Sequence, residues 1–399
     1  MLEHLFTETV QKTMGEEGYG AWRSISAPDA VSLSFGFPFP DSFPNEELLT
    51  AAQDLFAEEG DVALQYTGGE NAQSLAGIVA EQAARRGIDC DPEQVVLTNG
   101  ATHAIDVVCR TFLEPDDGVF VEAPTFMGAL RLFEGYGADV TGLPMDADGL
   151  DVSAMADELD ARRDEGRPLP KLCYTIPAFH NPRGVTLPLD RRERLLELAA
   201  EYDFVVLEDD AYGELRYDGD PLPPLKALDE TGRVVRVGTY SKTIAPGVRT
   251  GWVVADGDVA EQIDRMNAGG TNRFTQGVVA RYCRDGHYDR TVAAVREAYE
   301  RRRDVMLDRL ESYMPPEAEW SDPDGGFFVW VTLPEGVDTS AMLTRAGEEG
   351  VVYLPGEHFY ADGRGERSLR LSFSHASPEE IDDGIAALAR AAEAAIESR

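Results

Sequence analysis

From residue 94 onward the chain alternates short apolar runs with longer amphipathic stretches, and that alternation narrows its possible folds more than any other feature. QVVLT (94–98), GVFVE (118–122), KLCYTI (171–176), FVVLE (204–208), VVRVG (234–238) and TGWVVA (250–255) read as strands. Helices are expected after Gly100 through Cys109, over 125–135 and near 190–202. Apolar strands of this length separated by helices imply a mostly parallel sheet covered on both faces. After Gly257 the pattern changes. Helices are expected near 258–268, 274–284, 287–312, 338–347 and 378–397, with short strands in 325–333, 350–354 and 368–373, which together describe an α+β lobe. The reading is a large α/β domain over 46–295 and a smaller domain that combines 1–45 with 296–399. Arg301, Arg302 and Arg303 on the long helix read as a solvated face.

The charge balance excludes some partners. The 399 residues hold 73 acidic against 36 basic side chains, a formal net charge of −37, which repels a nucleic-acid backbone and an anionic membrane. The lysines are Lys12, Lys171, Lys226 and Lys242; the other basic residues are arginines. An acidic, lysine-poor surface suits a high-salt cytoplasm, where dense carboxylates keep a protein soluble although salt screens repulsion. Cys90, Cys109, Cys173 and Cys283 form no C-x-x-C pair, so no zinc site is expected, and scattered cysteines fit a reducing compartment. No secretory leader and no membrane span are read, so the expected setting is the cytoplasm.

Four segments carry chemistry. In VVRVGTYSKTIAPGVRTGW (234–252), Lys242 lies just beyond a strand, where open α/β sheets bind ligands. Its amine can condense with a carbonyl, pyridoxal 5′-phosphate (PLP) included, while Thr239, Ser241 and Arg249 suit a phosphate; a solvent-facing lysine in a polar loop is the plain alternative. In LTNGATHAI (97–105) a helix opens at Gly100-Ala101-Thr102, and its free N–H groups suit an anion, although an ordinary strand-to-helix turn explains it as well. In FVVLEDDAYGEL (204–215), Asp209, Asp210 and Tyr212 leave a strand end, where a carboxylate could face a pyridine nitrogen or two could hold Mg²⁺. In TIPAFHNPRGVTLP (175–188), Asn181 presents an amide on a turn, and His180 receives no separate role.

Further markers are SFGFPFPDSFP (34–44), LQYTGGEN (64–71), EAPTFMGAL (122–130), GGFFVW (325–330), YLPGEHFY (353–360) and LRLSFSHA (369–376). In this order and spacing, over nearly the whole chain, the segments resemble class I/II aminotransferases of PLP fold type I. The branch they resemble contains 2-aminoadipate and kynurenine aminotransferases and the catalytic half of MocR-type regulators. The resemblance implies a large domain built on a mostly parallel seven-stranded sheet, with a smaller α+β domain. It also implies that Lys242 binds PLP covalently and moves the α-proton. Asp209 faces the pyridine nitrogen, Asn181 and Tyr212 bond the ring oxygen, and Phe126 stacks on the ring. Ala101, Thr102, Thr239, Ser241 and Arg249 fall on phosphate-binding positions, with Ala101 and Thr239 departing from the commoner serines. Tyr66 is implied to reach the phosphate of a neighbouring subunit, hence a homodimer with shared sites. Arg370 binds the substrate α-carboxylate, and Gly36 lies over the substrate with Asn181 beside it. No metal is implied.

The activity so implied is transfer of an amino group from an L-amino acid of aromatic, branched-chain or 2-aminoadipate type to a 2-oxo acid, 2-oxoglutarate by the family's habit, in ping-pong order. A PLP-dependent lyase on the same fold and a PLP-sensing regulator are the alternatives; the second would need a basic DNA-binding domain, and none is visible. Trp22 and Arg23 are candidates for the side-chain pocket, with packing and a surface charge as the competing reading.

Overall fold

A computed structural model describes residues 3–7 and 29–398. Trp22 and Arg23 lie outside the described residues. Two helices lead the large layer, α1 (Asn45–Glu59) and α2 (Glu70–Ala84). Then follow β1 (Val95–Thr98), α3 (Ala101–Phe112), β2 (Gly118–Glu122), α4 (Met127–Gly135), β3 (Asp139–Leu143) and α5 (Val152–Glu165). The sheet is completed by β4 (Pro170–Thr175), α6 (Leu189–Tyr202), β5 (Val205–Asp209), β6 (Val234–Thr239) and β7 (Gly251–Val254). Its seven strands run in the order β1-β7-β6-β5-β4-β2-β3; β2 to β6 pair in parallel, and β7 runs antiparallel to both of its neighbours.

Strand alternation decides which helices cover which face. Val119 and Val121 of β2 pack with Leu207 of β5, Val235 and Val237 of β6 and Val253 of β7 against Ile105, Val108 and Phe133 of α3 and α4. The intervening residues Phe120, Cys173, Val206 and Val234 point the other way, onto Met155 and Leu159 of α5 and Leu195 and Leu198 of α6. Further along that second face, Leu97, Trp252 and Val254 meet Leu55 of α1 and Leu75 and Val79 of α2.

Beyond the sheet lie α7 (Gly257–Met266), α8 (Arg273–Arg284) and α9 (His287–Tyr313). A small antiparallel sheet contains β8 (Glu319–Trp320), β9 (Phe328–Thr332), β10 (Leu354–Pro355) and β11 (Ser368–Ser372), in the order β8-β9-β11-β10. It is backed by α10 (Thr339–Glu349) and α11 (Pro378–Glu397). The helices start where chemistry supplies a cap. Asp151 accepts the Ser153 and Ala154 N–H groups for α5, and Ser377 and Glu380 form a capping box for α11. The segment at 31–34 joins this layer: Val31–Ser32 pairs in parallel with Val351–Val352, and Leu33 O accepts the Ser372 N–H at 2.7 Å. One helix serves both layers, since Tyr288 and Val292 of α9 pack in the core of α2 and α8, while Val295, Tyr299 and Met306 pack in the core of the small sheet.

Three local expectations need correction. The expected strand at 325–333 begins only at Phe328, because Gly326 has φ +72° and sits against Phe179. The expected strand at 350–354 is broken at Tyr353. Of the three arginines on α9, only Arg301 is solvated. Arg302 lies over the Phe39 ring at 3.8 Å, and Arg303 is buried, bonded to Asp218, Asp304 and the Pro323 carbonyl.

The Asn181 loop is pinned to the small sheet through Gly184. Its φ is +73°, and a Cβ there would lie 2.6 Å from the Phe328 carbonyl oxygen and 2.9 Å from Pro323. Gly184→Ala should therefore cost about 1–3 kcal/mol of stability, read as a lowered urea midpoint at unchanged m-value.

Candidate active site

The carboxyl ends of the parallel strands meet the entry of the antiparallel one. Gly251 opens β7 opposite both Thr98 and Thr239, so the loop that carries Arg249 arrives at the same edge where β1, β5 and β6 end. A cavity of about 330 Å³ lies there. It brings together Gly36, Ala101, Thr102, Phe126, Asn181, Asp209, Tyr212, Thr239, Ser241, Lys242, Arg249 and Arg370, on segments more than 300 residues apart in sequence. Tyr66 is elsewhere, 98% exposed on its own chain.

Lys242 follows β6 and is half-buried, and its Nζ donates to the Gly36 carbonyl at 2.8 Å. Burial and the positive charge of Arg370 bring its pKa down to about 8, against the pull of Asp209. The Tyr212 and Phe327 rings stand 5.9 and 5.6 Å from Nζ. Asp209 ends β5. Its Oδ2 accepts the Tyr174 hydroxyl at 2.7 Å, while Oδ1 is buried with no hydrogen-bond partner among the described residues. Burial pushes the Asp209 carboxyl up to about 6. Asp210 faces a different environment, paired with Arg86 and Arg236, and this pairing holds its carboxyl well below the usual range. The two aspartates therefore do not form one cation site.

At the other wall, Arg370 of β11 donates through Nη1 to Asn181 Oδ1 at 2.9 Å and through Nη2 to Ser34 O at 2.6 Å. Its guanidinium is sandwiched near Phe328 at 4.1 Å and Phe359 at 5.0 Å. A charge held in this way keeps its fork aimed with little entropy left to lose. Gly36 leaves no room for a side chain, since a Cβ would sit 2.6 Å from the Phe328 ring.

The third wall is polar backbone and hydroxyl. Helix α3 starts after Gly100, at φ +92°, with no side-chain cap on its first N–H groups. Arg249 spans this turn by donating to the Asn99 carbonyl at 2.9 Å. Thr239 and Ser241 hydroxyls bond each other at 2.8 Å. Free N–H groups, hydroxyls and a guanidinium around one helix start are the donor set of a phosphate site.

Sequence reasoning passed over Tyr174, which fixes the Asp209 carboxylate from the neighbouring strand β4, and Phe328, which supports both Arg370 and Gly36. A strand tyrosine and a strand phenylalanine carry no local signal of such a role. His180 has surroundings that the sequence did not suggest: it is buried, with Nε2 3.0 Å from Glu122 Oε2.

The unpartnered Asp209 oxygen suits a ring N–H, the helix start suits a phosphate, and a half-buried amine of lowered pKa stands between them. These residues fit PLP. The chain matches the family model described as aminotransferase class I and II over residues 29–388. It is 38% identical to aromatic-amino-acid aminotransferase 1 of Thermococcus litoralis, over 97% of this chain and 94% of that protein. It is 36% identical to the 2-aminoadipate transaminase of Thermus thermophilus, over 91% and 90%. The crystal structure of Pyrococcus horikoshii kynurenine aminotransferase superposes with a TM-score of 0.93 at 38% identity, covering 98% of each chain.

A carboxyl whose pKa is raised on folding stabilises the native state fully below its unfolded pKa and loses that contribution as pH rises through about 6. Asp209→Asn removes the loss. Without cofactor, the variant should be about 1–3 kcal/mol more stable than the parent at pH 8, with the gap closing between pH 6 and pH 4 in urea titrations.

Proposed function

Because this chain belongs to the class I and II aminotransferases and is a PLP-dependent enzyme of that kind, we propose that its cavity moves an amino group from an aromatic, branched-chain or 2-aminoadipate-type L-amino acid to 2-oxoglutarate. The observation that carries the assignment of roles is a half-buried Lys242 amine of lowered pKa in one cavity with a buried Asp209 carboxylate, one oxygen of which has no partner among the described residues. The names of the relatives and an apolar wall of Phe35, Phe37, Met127, Phe328 and Leu354 support the substrate class.

PLP supplies an electron sink that stabilises negative charge at the substrate Cα. Lys242 would hold the cofactor covalently, and its free amine would take the proton from Cα; an amine of pKa about 8 is well placed to accept and return it near neutral pH. Asp209 would accept the ring N–H through Oδ1, and the Tyr174 hydroxyl keeps that carboxylate in place. Asn181 and Tyr212 would donate to the ring oxygen, and Phe126 would cover the ring face. Ala101 and Thr102 at the start of α3, with Thr239, Ser241 and Arg249, would hold the phosphate. Arg370 turns its guanidinium onto the substrate α-carboxylate, and the segment at Gly36 closes over it. The amino group stays with the enzyme when the first oxo acid leaves, so the two substrates use the cavity in turn, a ping-pong order.

Tyr66 follows closely in sequence on the exposed apolar residues Val62 (52%) and Leu64 (63%). This exposed apolar stretch supports a homodimer in which Tyr66 completes the partner's phosphate site. No helix among the described residues is long and apolar enough to cross a membrane. With its cysteines unpaired, we place the enzyme in a reducing cytoplasm, and its charge of −37 in one of high salt.

A panel of amino donors against 2-oxoglutarate tests the activity. Parallel double-reciprocal lines and turnover with aromatic, leucine or 2-aminoadipate donors are expected; release of the donor's side chain or carboxyl group would point to a lyase. Arg370→Ala should raise KM for amino donors by about a hundredfold with the cofactor still bound, since it removes a charge-assisted fork. Light scattering over a salt series tests assembly. The dimer should dissociate at about 0.01 M salt, where the screening length is about 30 Å, and re-form in molar salt. An active monomer would remove Tyr66 from the site.

A further inference from the structure

The small sheet carries a second groove on the same face as the active site. Phe328, Trp330 and Thr332 alternate along β9, and Arg370 and Ser368 along β11, with Trp330 paired directly to Arg370. Phe328 and Arg370 line the active-site cavity, whereas Trp330, Thr332 and Ser368 line a separate groove of about 550 Å³. Arg183 stands in that groove, two residues beyond Asn181, together with Tyr360, Arg364 and Arg367.

Arg183 is a cation with its counter-charge missing. Among the described residues its buried Nε has no hydrogen-bond partner, and its Nη1 donates to the Met145 carbonyl at 3.3 Å. Burial lowers its pKa, opposed first by the Tyr360 hydroxyl and then by the carboxylate of Asp146. Asp146 is already gripped by both Nη atoms of Arg191, at 2.8 and 2.7 Å. Among the described residues no carboxylate lies within ion-pair distance of Arg183, in a chain with twice as many acidic as basic side chains. Desolvating a cation without a partner is costly, so sites of this kind are stabilised by an anion that binds there. Arg364 lies over the Tyr360 ring at 5.3 Å and is ion-paired with Asp362 at 3.3 Å, and Arg367 lines the same groove. The same groove is lined by Glu335, Asp338 and Glu366, of which Asp338 is engaged in capping α10. Those carboxylates disfavour a multiply charged phosphate. A single carboxylate matches the planar fork of Arg183, and the Trp330 and Tyr360 walls accept a carbon skeleton.

We propose that this groove is a binding site for a small organic carboxylate, held by Arg183 and separate from the substrate site. The proposal does not depend on which amino donor the enzyme uses.

Calorimetric titration of the holoenzyme with benzoate, in chloride buffer of fixed ionic strength, tests it. Benzoate should bind saturably to the parent and to Arg370→Gln, and about tenfold more weakly to Arg183→Gln. The exposed Arg367→Gln, which leaves no buried gap, should weaken binding several-fold and decides the matter if Arg183→Gln does not fold. Inorganic phosphate should bind more weakly than benzoate at this site. Three results would overturn the proposal: no saturable binding to the parent, binding unchanged in both Arg183→Gln and Arg367→Gln, or binding lost in Arg370→Gln, which would place the benzoate in the substrate cavity. Turnover with amino donors is a separate readout, so failure of the groove leaves the proposed reaction standing, and the reverse holds too.

Discussion

Three consecutive acids at the end of one buried strand set the problem that the surrounding structure solves. Glu208, Asp209 and Asp210 are all almost fully buried, and an uncompensated carboxylate in such a place is expensive. Each has a different solution. Glu208 accepts the Leu225 and Lys226 backbone N–H groups, at 2.8 and 3.0 Å, from the start of a short helix (Leu225–Leu228) that precedes β6. Asp210 is clamped by Arg86 from the end of α2 and by Arg236 from the next strand. Asp209, between them, receives one hydroxyl and keeps one oxygen for the cavity. The flanking residues are satisfied internally, and the charge that is left over is where chemistry can use it. Asp210 also helps to keep the Asp209 pKa high, so the neighbour that looks redundant in the sequence tunes the one that acts.

A second constraint acts from the small sheet. The segment at 33–37 is tied to β11 by Ser372 N–H and by Arg370, and over Lys242 by the Gly36 carbonyl. Lysine and arginine thus each hold a carbonyl of one short segment, and the cavity closes only when both layers are in register. Asn181 belongs to the same arrangement, because its side chain accepts from Arg370 while its loop is anchored through Gly184 against Phe328. An aligned guanidinium and an aligned amine in a desolvated pocket are the preorganised electrostatics that acyl and amino-transfer sites rely on.

Arginine does more here than carry charge. Arg192 is fully buried and donates to three backbone carbonyls, of Leu187, Pro223 and Pro177. Arg303 joins α9 to the loop before β9, and Arg302 covers the Phe39 ring. Five donors on a planar group allow such multiple satisfaction, and lysine cannot replace it.

The sequence by itself determined most of the strand and helix order from residue 94, the lysine at a strand end, and the motif order that marks the family. These are local properties: apolar alternation, turn residues, and short spacings set by them. It missed β3, where DVTGL lies at the sheet edge with one fully buried residue, and α5, whose buried positions Val152, Met155 and Leu159 are spread thinly among charges. Edge strands and solvated helices bury too little apolar surface to leave a clear period. Only the tertiary structure decided which of Asp209 and Asp210 faces the cavity, that Tyr174 holds the first and Arg86 and Arg236 the second, and that Arg183 stands without a carboxylate. Each of those outcomes depends on residues distant in sequence, and a buried charge is settled by whatever the fold brings within about 4 Å of it.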